Sequence, residues 1–224
     1  MNRLASALPL TIILAMLVAA CAPSAPPQLT ATPVPPTPTS APLPELAPSP
    51  TPEPTPPPPL EISSPAFEPG GEIPVQYSCH GANLSPPLQW PALPEGTQSL
   101  ALLVRDADSQ PPGFVHWVIY NIPGTATGLV EGVPAEATLP DGTLQGINDF
   151  ANFAGGTFPG GAPINQIGYD GPCPPAAHRY VFTLYALDKA LDLESEATET
   201  QVLDAMEGHV LDQAELTGVY TPPG

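Results

Sequence analysis

The stretch from Ala22 to Pro59 decides where this chain can fold and where it cannot. It reads "APSAPPQLTATPVPPTPTSAPLPELAPSPTPEPTPPPP", almost entirely Pro, Thr, Ser and Ala. Proline fixes φ and removes a backbone donor, and the residues between the prolines have little apolar surface to bury. Neither a helix interior, a sheet interior nor a core can be built from it. Such a segment favours polyproline II, and at about 3.1 Å per residue it reaches up to roughly 100 Å. It reads as a disordered stalk. Any packed core must come from Leu60 to Gly224, which is long enough for one domain.

Upstream of the stalk the chain reads "MNRLASALPLTIILAMLVAAC". Arg3 is a short basic region, and Leu8 to Ala20 is an apolar run of signal-peptide length, shorter than a membrane span needs. Residues 1–20 therefore read as an export signal. "LVAAC" places small residues directly before Cys21, which resembles the lipobox of bacterial lipoproteins. That resemblance implies that Cys21 becomes the lipidated N-terminus of the mature chain. Diacylglycerol with acyl chains such as palmitate would then hold residues 21–59 to a membrane as a tether, on the extracytoplasmic side of the cell envelope. An exported domain can keep a disulfide. With Cys21 given to lipid, Cys79 and Cys173 remain as an even pair, either bridged or as two separate thiols.

The formal charge is −18, and beyond Arg3 the only basic side chains are Arg105, Arg179 and Lys189. Nucleic acid is excluded as a partner, because binding it needs many phosphate-neutralising cations. The acidity serves solubility, and any anionic ligand must be held by local donors against the long-range field.

Within the domain, "SLALLVRDAD", "FVHWVIYNIPG" and "HRYVFTLYALD" are apolar, β-branched or aromatic runs that read as strands. "LEISSPAFEPGGEIPVQYSC" alternates short β-type runs with turn residues, and "AELTGVYT" closes as a short strand. Between Gly124 and Pro175 turn chemistry dominates, most strongly in "FAGGTFPGGAP". Val202, Leu203, Met206 and Val210 form one apolar stripe, which predicts a helix over Thr198 to Gln213. Many strands, long loops and one late helix give a mostly β sandwich.

Ionisable groups gather at the strand ends. Asp106 and Asp108 close the first run, His116 sits near the start of the second, and His178 opens the third. If the first strand continues that far, Asp106 and Asp108 face the same way. The stiff segment "GYDGPCPPAAHRY" ends in His178 and Tyr180 and admits three readings: a pocket wall, a catalytic loop, or plain turn chemistry. No HxH, HExxH, CxxC, GxSxG or phosphate-binding GK[ST] motif occurs, so no metal and no cofactor are implied.

"DAD…PP…VHWVIYNIP" followed by "GYDGPCPP..HRYVFTLYALD" resembles the phosphatidylethanolamine-binding protein family, in particular its bacterial Raf-kinase-inhibitor-like branch. "CHGANLSPPLQWPALPEGTQSLALLVRDAD" and "GHVLDQAELTGVY" extend the resemblance over essentially all of Leu60 to Tyr220. It implies two packed antiparallel sheets with a C-terminal helix, and a small pocket for anionic or phosphate-bearing head groups. Carried over by position, the ligand-binding residues are Asp106, Asp108, Phe114, His116, Tyr169, Gly171, Pro174, Pro175, His178 and Tyr180. Asp106 is expected to hold an imidazole, since carboxylate and phosphate repel. Arg179, next to His178 on a strand, is expected on the other face. Two departures bear on the pocket mouth: Ala107 stands where the family has proline, and only Ala176 and Ala177 link "PP" to "HRY". The expected function is a non-enzymatic binding module that regulates a partner in the envelope. The alternatives are an Asp/His-dependent hydrolase and an envelope protease inhibitor.

Overall fold

The structure is a computed structural model that describes residues 58–153 and 155–224. The export signal, Cys21 and the stalk up to residue 57 lie outside the described residues.

The three apolar runs form the centre of a five-stranded antiparallel sheet. Its strands are β2 (Ser99–Asp106), β3 (Phe114–Pro123), β5 (Leu144–Gln145), β6 (His178–Leu187) and β7 (Val210–Tyr220), in the order β5-β3-β2-β6-β7. A second, two-stranded antiparallel sheet joins β1 (Leu88–Gln89) to β4 (Gly128–Leu129). β2 is buried along almost its whole length, which is why it reads as an unbroken apolar run rather than as an alternation. Leu100, Leu102 and Val104 face one core with Trp90, Trp117, Ile119 and Phe182. Ala101 and Leu103 face a second core with Val118, Tyr120, Val202 and Met206. Each fully buried Leu or Val side chain is worth about 1.5–3 kcal/mol relative to exposure, so the central strands carry much of the fold's stability.

Two expectations are corrected. The helix α1 spans only Glu199–Met206. Thr198 opens it with a capping box to Gln201, and Gly208, at φ 77°, closes it in the left-handed conformation that ends helices. Val210 therefore leaves the apolar stripe and opens β7, paired with Leu187, so the last strand is longer than expected and the helix precedes it. The segment "LEISSPAFEPGGEIPVQYSC" supplies isolated bridges, Ser63 to Gln89 and Glu72 to Val219, and one 3-10 turn at Val75–Tyr77. Pro65, Pro69 and Pro74 remove the donors that continuous strands would need.

Candidate functional site

Strand pairing brings the chemistry together. In an antiparallel trio, the C-terminal end of the middle strand lies beside the N-terminal ends of both neighbours. Asp106, the last residue of β2, pairs with Phe114 of β3 and with Tyr180 of β6. His116 and His178 stand two residues away on those neighbours. Together with Pro174 and Pro175 they line a cavity of about 420 Å³.

Asp106 is buried, and its Oδ2 lies 2.7 Å from His178 Nδ1. A carboxylate can only accept, so His178 Nδ1 donates. The other carboxylate oxygen accepts the Asp108 N–H at 2.8 Å. This Asx-type turn ends the strand at Asp106, so the strand does not reach Asp108 and the condition for the two carboxylates to share a strand face is not met. At the cavity edge Asp108 instead takes the Arg179 guanidinium through Nη2 at 2.7 Å and Nε at 3.0 Å, and the Arg179 N–H at 2.9 Å. Those hydrogen bonds hold the Asp108 carboxyl down to about 2. Arg179 is thereby committed and is not part of the cavity lining.

His116 is only 2% exposed, and its Nδ1 donates to the Asp170 carbonyl at 2.6 Å. Burial pushes this imidazole down to about 4, against the pull of the Asp170 carbonyl and the Asp106 and Asp149 carboxylates. It is therefore neutral at physiological pH, with Nε2 as a lone-pair acceptor. Tyr180 packs edge-on against His116 at 5.1 Å, and its buried hydroxyl has no hydrogen-bond partner among the described residues. Burial and the neighbouring Asp106 charge push that phenol upward.

The rigid loop is built from behind. Tyr169, which the resemblance placed in the wall, does not line the cavity. It is buried edge-on against Trp117 at 5.5 Å and donates its hydroxyl to the Tyr77 carbonyl at 2.7 Å. Gly171 also stands behind the wall. Its N–H is taken by Asn83 Oδ1 at 2.7 Å, so it offers nothing to an anion. Asp170 accepts from Asn83 Nδ2 at 2.8 Å and from the Asn165 N–H at 2.9 Å, and burial pushes its carboxyl up to about 6. Cys79 and Cys173 are joined by a disulfide, with Cys173 lining the cavity.

Sequence reasoning missed Ser109, Gln110, Phe150 and Phe153 in the lining. Phe150 and Phe153 belong to a 3-10 turn at Asp149–Phe153, inside the loop-rich region. The available signal was the pair of aromatics in "NDFANF" within otherwise turn-forming sequence. The Ser109 hydroxyl is spent on its own turn, lying 2.7 Å from the Pro111 carbonyl and accepting the Phe114 N–H at 3.0 Å. A slightly larger groove of about 470 Å³ runs along β1 and β4, but no ionisable side chain lines it.

A two-sheet antiparallel sandwich whose central strand ends at a carboxylate–imidazole pair, walled by a proline-stiffened loop, defines the phosphatidylethanolamine-binding class of fold. The model of the family described as phosphatidylethanolamine-binding protein matches residues 63–221, and the chain belongs to that family. A protein from Methanothermobacter thermautotrophicus named only as a UPF0098 protein is 48% identical over 162 residues, covering 72% of this chain and 98% of the relative. A UPF0098 protein from Chlamydia pneumoniae is 41% identical over 167 residues, again covering 72% and 98%. Among solved structures, a putative homologue of the family from Chlamydia trachomatis superposes with a TM-score of 0.62 at 35% identity, covering 74% of this chain and 99% of that one. The E. coli protein YbcL, described as a new member of the mammalian family, superposes with a TM-score of 0.62 at 30% identity, covering 73% and 99%.

Proposed function

We propose that the domain is a binding module for small anionic or phosphate-bearing ligands, exported and held to a membrane through lipid on Cys21, and that it acts on a partner in the envelope without catalysis. The observation that carries this reading is the buried Asp106–His178 pair, which lines the cavity together with His116 and Tyr180. One wall of the cavity is Pro174 and Pro175, whose stiffness suits a preformed site. An imidazole held by a carboxylate stands in the cavity lining, while the only serine there is tied into a turn. Titration with phosphate, followed by imidazole nuclear magnetic resonance, should move the His178 signals in the wild type and leave no response in His178→Ala. Unchanged spectra at millimolar phosphate would count against anion binding. For the anchor, Cys21→Ser should move the protein from the membrane fraction to the soluble fraction.

One observation favours a second reading. A carboxylate that orients an imidazole at 2.7 Å is the arrangement of a general base. A hydrolase of this kind would need water as nucleophile, and Asp106→Asn would then abolish turnover across a panel of phosphoesters.

A further inference from the structure

The two halves of the Cys79–Cys173 bond stand in unlike surroundings. Cys79 is fully buried, whereas Cys173 is partly exposed and lines the strand-end cavity. Pro172 and Pro174 flank Cys173 and fix the chain on both sides of it. Thiol–disulfide exchange begins with a thiolate attacking one sulfur, and access decides which sulfur that is. A thiolate entering from solvent meets Cys173 Sγ.

The buried sulfur has its own neighbour. His80 Nδ1 lies 3.4 Å from Cys79 Sγ and 2.9 Å from the Tyr220 hydroxyl. The Tyr220 hydroxyl lies 2.8 Å from Ser78 Oγ, which lies 2.8 Å from the Val75 carbonyl. A carbonyl only accepts, so the single Ser78 proton is given to Val75. Tyr220 then donates to Ser78, and His80 Nδ1–H donates to Tyr220, beside Cys79 Sγ. The His80 and Tyr220 rings also stack, with centroids 6.0 Å apart, which holds the imidazole in place. A donor imidazole beside a sulfur favours its thiolate, and a favoured thiolate leaves faster.

Other bonds hold the loop when the disulfide opens. The Cys79 N–H donates to the Pro172 carbonyl at 3.0 Å, Gly171 is fixed on Asn83, and Tyr169 on Tyr77. The approach to Cys173 is acidic: Asp106 and Asp108 line the cavity, and no lysine or arginine lines it among the described residues. That field opposes an anionic thiol and favours one carrying an ammonium group.

We infer that Cys79–Cys173 is a thiol-exchange site, at which a small cationic or neutral thiol attacks Cys173 Sγ and Cys79 Sγ leaves beside His80. The incoming thiol gives its proton to solvent, and its electron pair forms the new S–S bond to Cys173. The Cys79–Cys173 bond breaks, and its pair stays on Cys79 as the thiolate. The small thiol is oxidised into the mixed disulfide and Cys79 is reduced, so no further oxidant is needed. The adduct then occupies the cavity.

The test uses the full chain carrying Cys21→Ser, which leaves Cys79 and Cys173 as its only cysteines. The folded, oxidised protein is mixed with cysteamine or with the anionic 3-mercaptopropionate, trapped at intervals with N-ethylmaleimide and mapped by mass spectrometry. The small thiol should be found on Cys173 and the maleimide on Cys79. At equal thiolate concentration and low salt, cysteamine should react about tenfold faster than 3-mercaptopropionate, and added salt should shrink that gap. His80→Gln should slow the exchange about tenfold. His209→Gln, whose ring pairs with Asp188 at 2.9 Å away from the disulfide, should leave the rate unchanged. Adducts shared evenly between Cys79 and Cys173, exchange only at urea concentrations that unfold the domain, or an unchanged rate in folded His80→Gln would overturn the inference. Where His80→Gln does not fold, the position of the adduct and the salt-sensitive preference for cysteamine decide it in the chain that retains His80.

Discussion

Asp106 Oδ2 lies 2.7 Å from His178 Nδ1 across the β2–β6 pairing, with the carboxylate buried and the imidazole mostly covered. The register sets this contact, because Asp106 pairs with Tyr180 and the ring two residues earlier must turn toward the strand end. Asp106→Asn keeps the shape and removes the charge. A charge-assisted hydrogen bond contributes about 1.5–3 kcal/mol, so the variant should lose roughly that much stability in urea unfolding. Phosphate affinity should fall about tenfold by calorimetry, because the imidazole is no longer held by an anion.

Two buried groups titrate in opposite senses. His116 sits near 4 in the folded protein against an ordinary 6.5, so the stability it contributes is present above pH 6.5 and lost as pH falls through 4. Asp170 sits near 6 against an ordinary 3.8, so the stability it contributes is present below pH 3.8 and lost as pH rises through 6. Each amounts to about 3 kcal/mol by linkage, and the two slopes largely offset one another between pH 4 and 6.5. Asp170→Asn removes one of them while keeping the backbone carbonyl that holds His116. Its unfolding free energy should therefore rise by about 2–3 kcal/mol from pH 4 to pH 6.5. A flat profile in that variant would mean that His116 is not buried as a neutral ring.

The Cys79–Cys173 bond closes a loop over a sequence separation of 94 and ties the Pro174–Pro175 wall to the body of the domain. By the chain-entropy account, opening it should cost about 4–5 kcal/mol. Denaturation with and without reductant measures this directly. The double serine variant should also show weakened phosphate binding, because Cys173 belongs to the cavity wall.

Gly171 is required for space. A Cβ there would sit 2.1 Å from the Tyr77 carbonyl and 3.0 Å from the Ser78 Cα, both backbone atoms that cannot yield cheaply. Gly171→Ala should cost about 2–4 kcal/mol. Gly113, at φ 91° with open space around it, is required only for its conformation, and Gly113→Ala should cost about 1 kcal/mol. Thermal denaturation of the two variants separates the causes.

The pocket's polar floor was legible because it stands at strand ends. "LLVRD", "FVHW" and "HRYVF" each join an apolar run to a charge, and antiparallel pairing is enough to bring those ends together. What escaped depends on turns. Phe150 and Phe153 reach the cavity through a 3-10 turn with no periodic signature. Tyr169 and Gly171 belong to the right loop but face the other way, because backbone contacts at Tyr77 and Asn83 set their direction. The helix was read too long because its apolar stripe runs on past Gly208 into Val210, and a glycine stop outweighs one more apolar residue.

The most direct test of the pocket is a crystal structure of the domain soaked with phosphate. Anion density should lie within hydrogen-bond distance of His178 Nε2, with Arg179 still on Asp108. Density bound at Arg179 instead, or in the groove along β1 and β4 with the cavity empty, would contradict it.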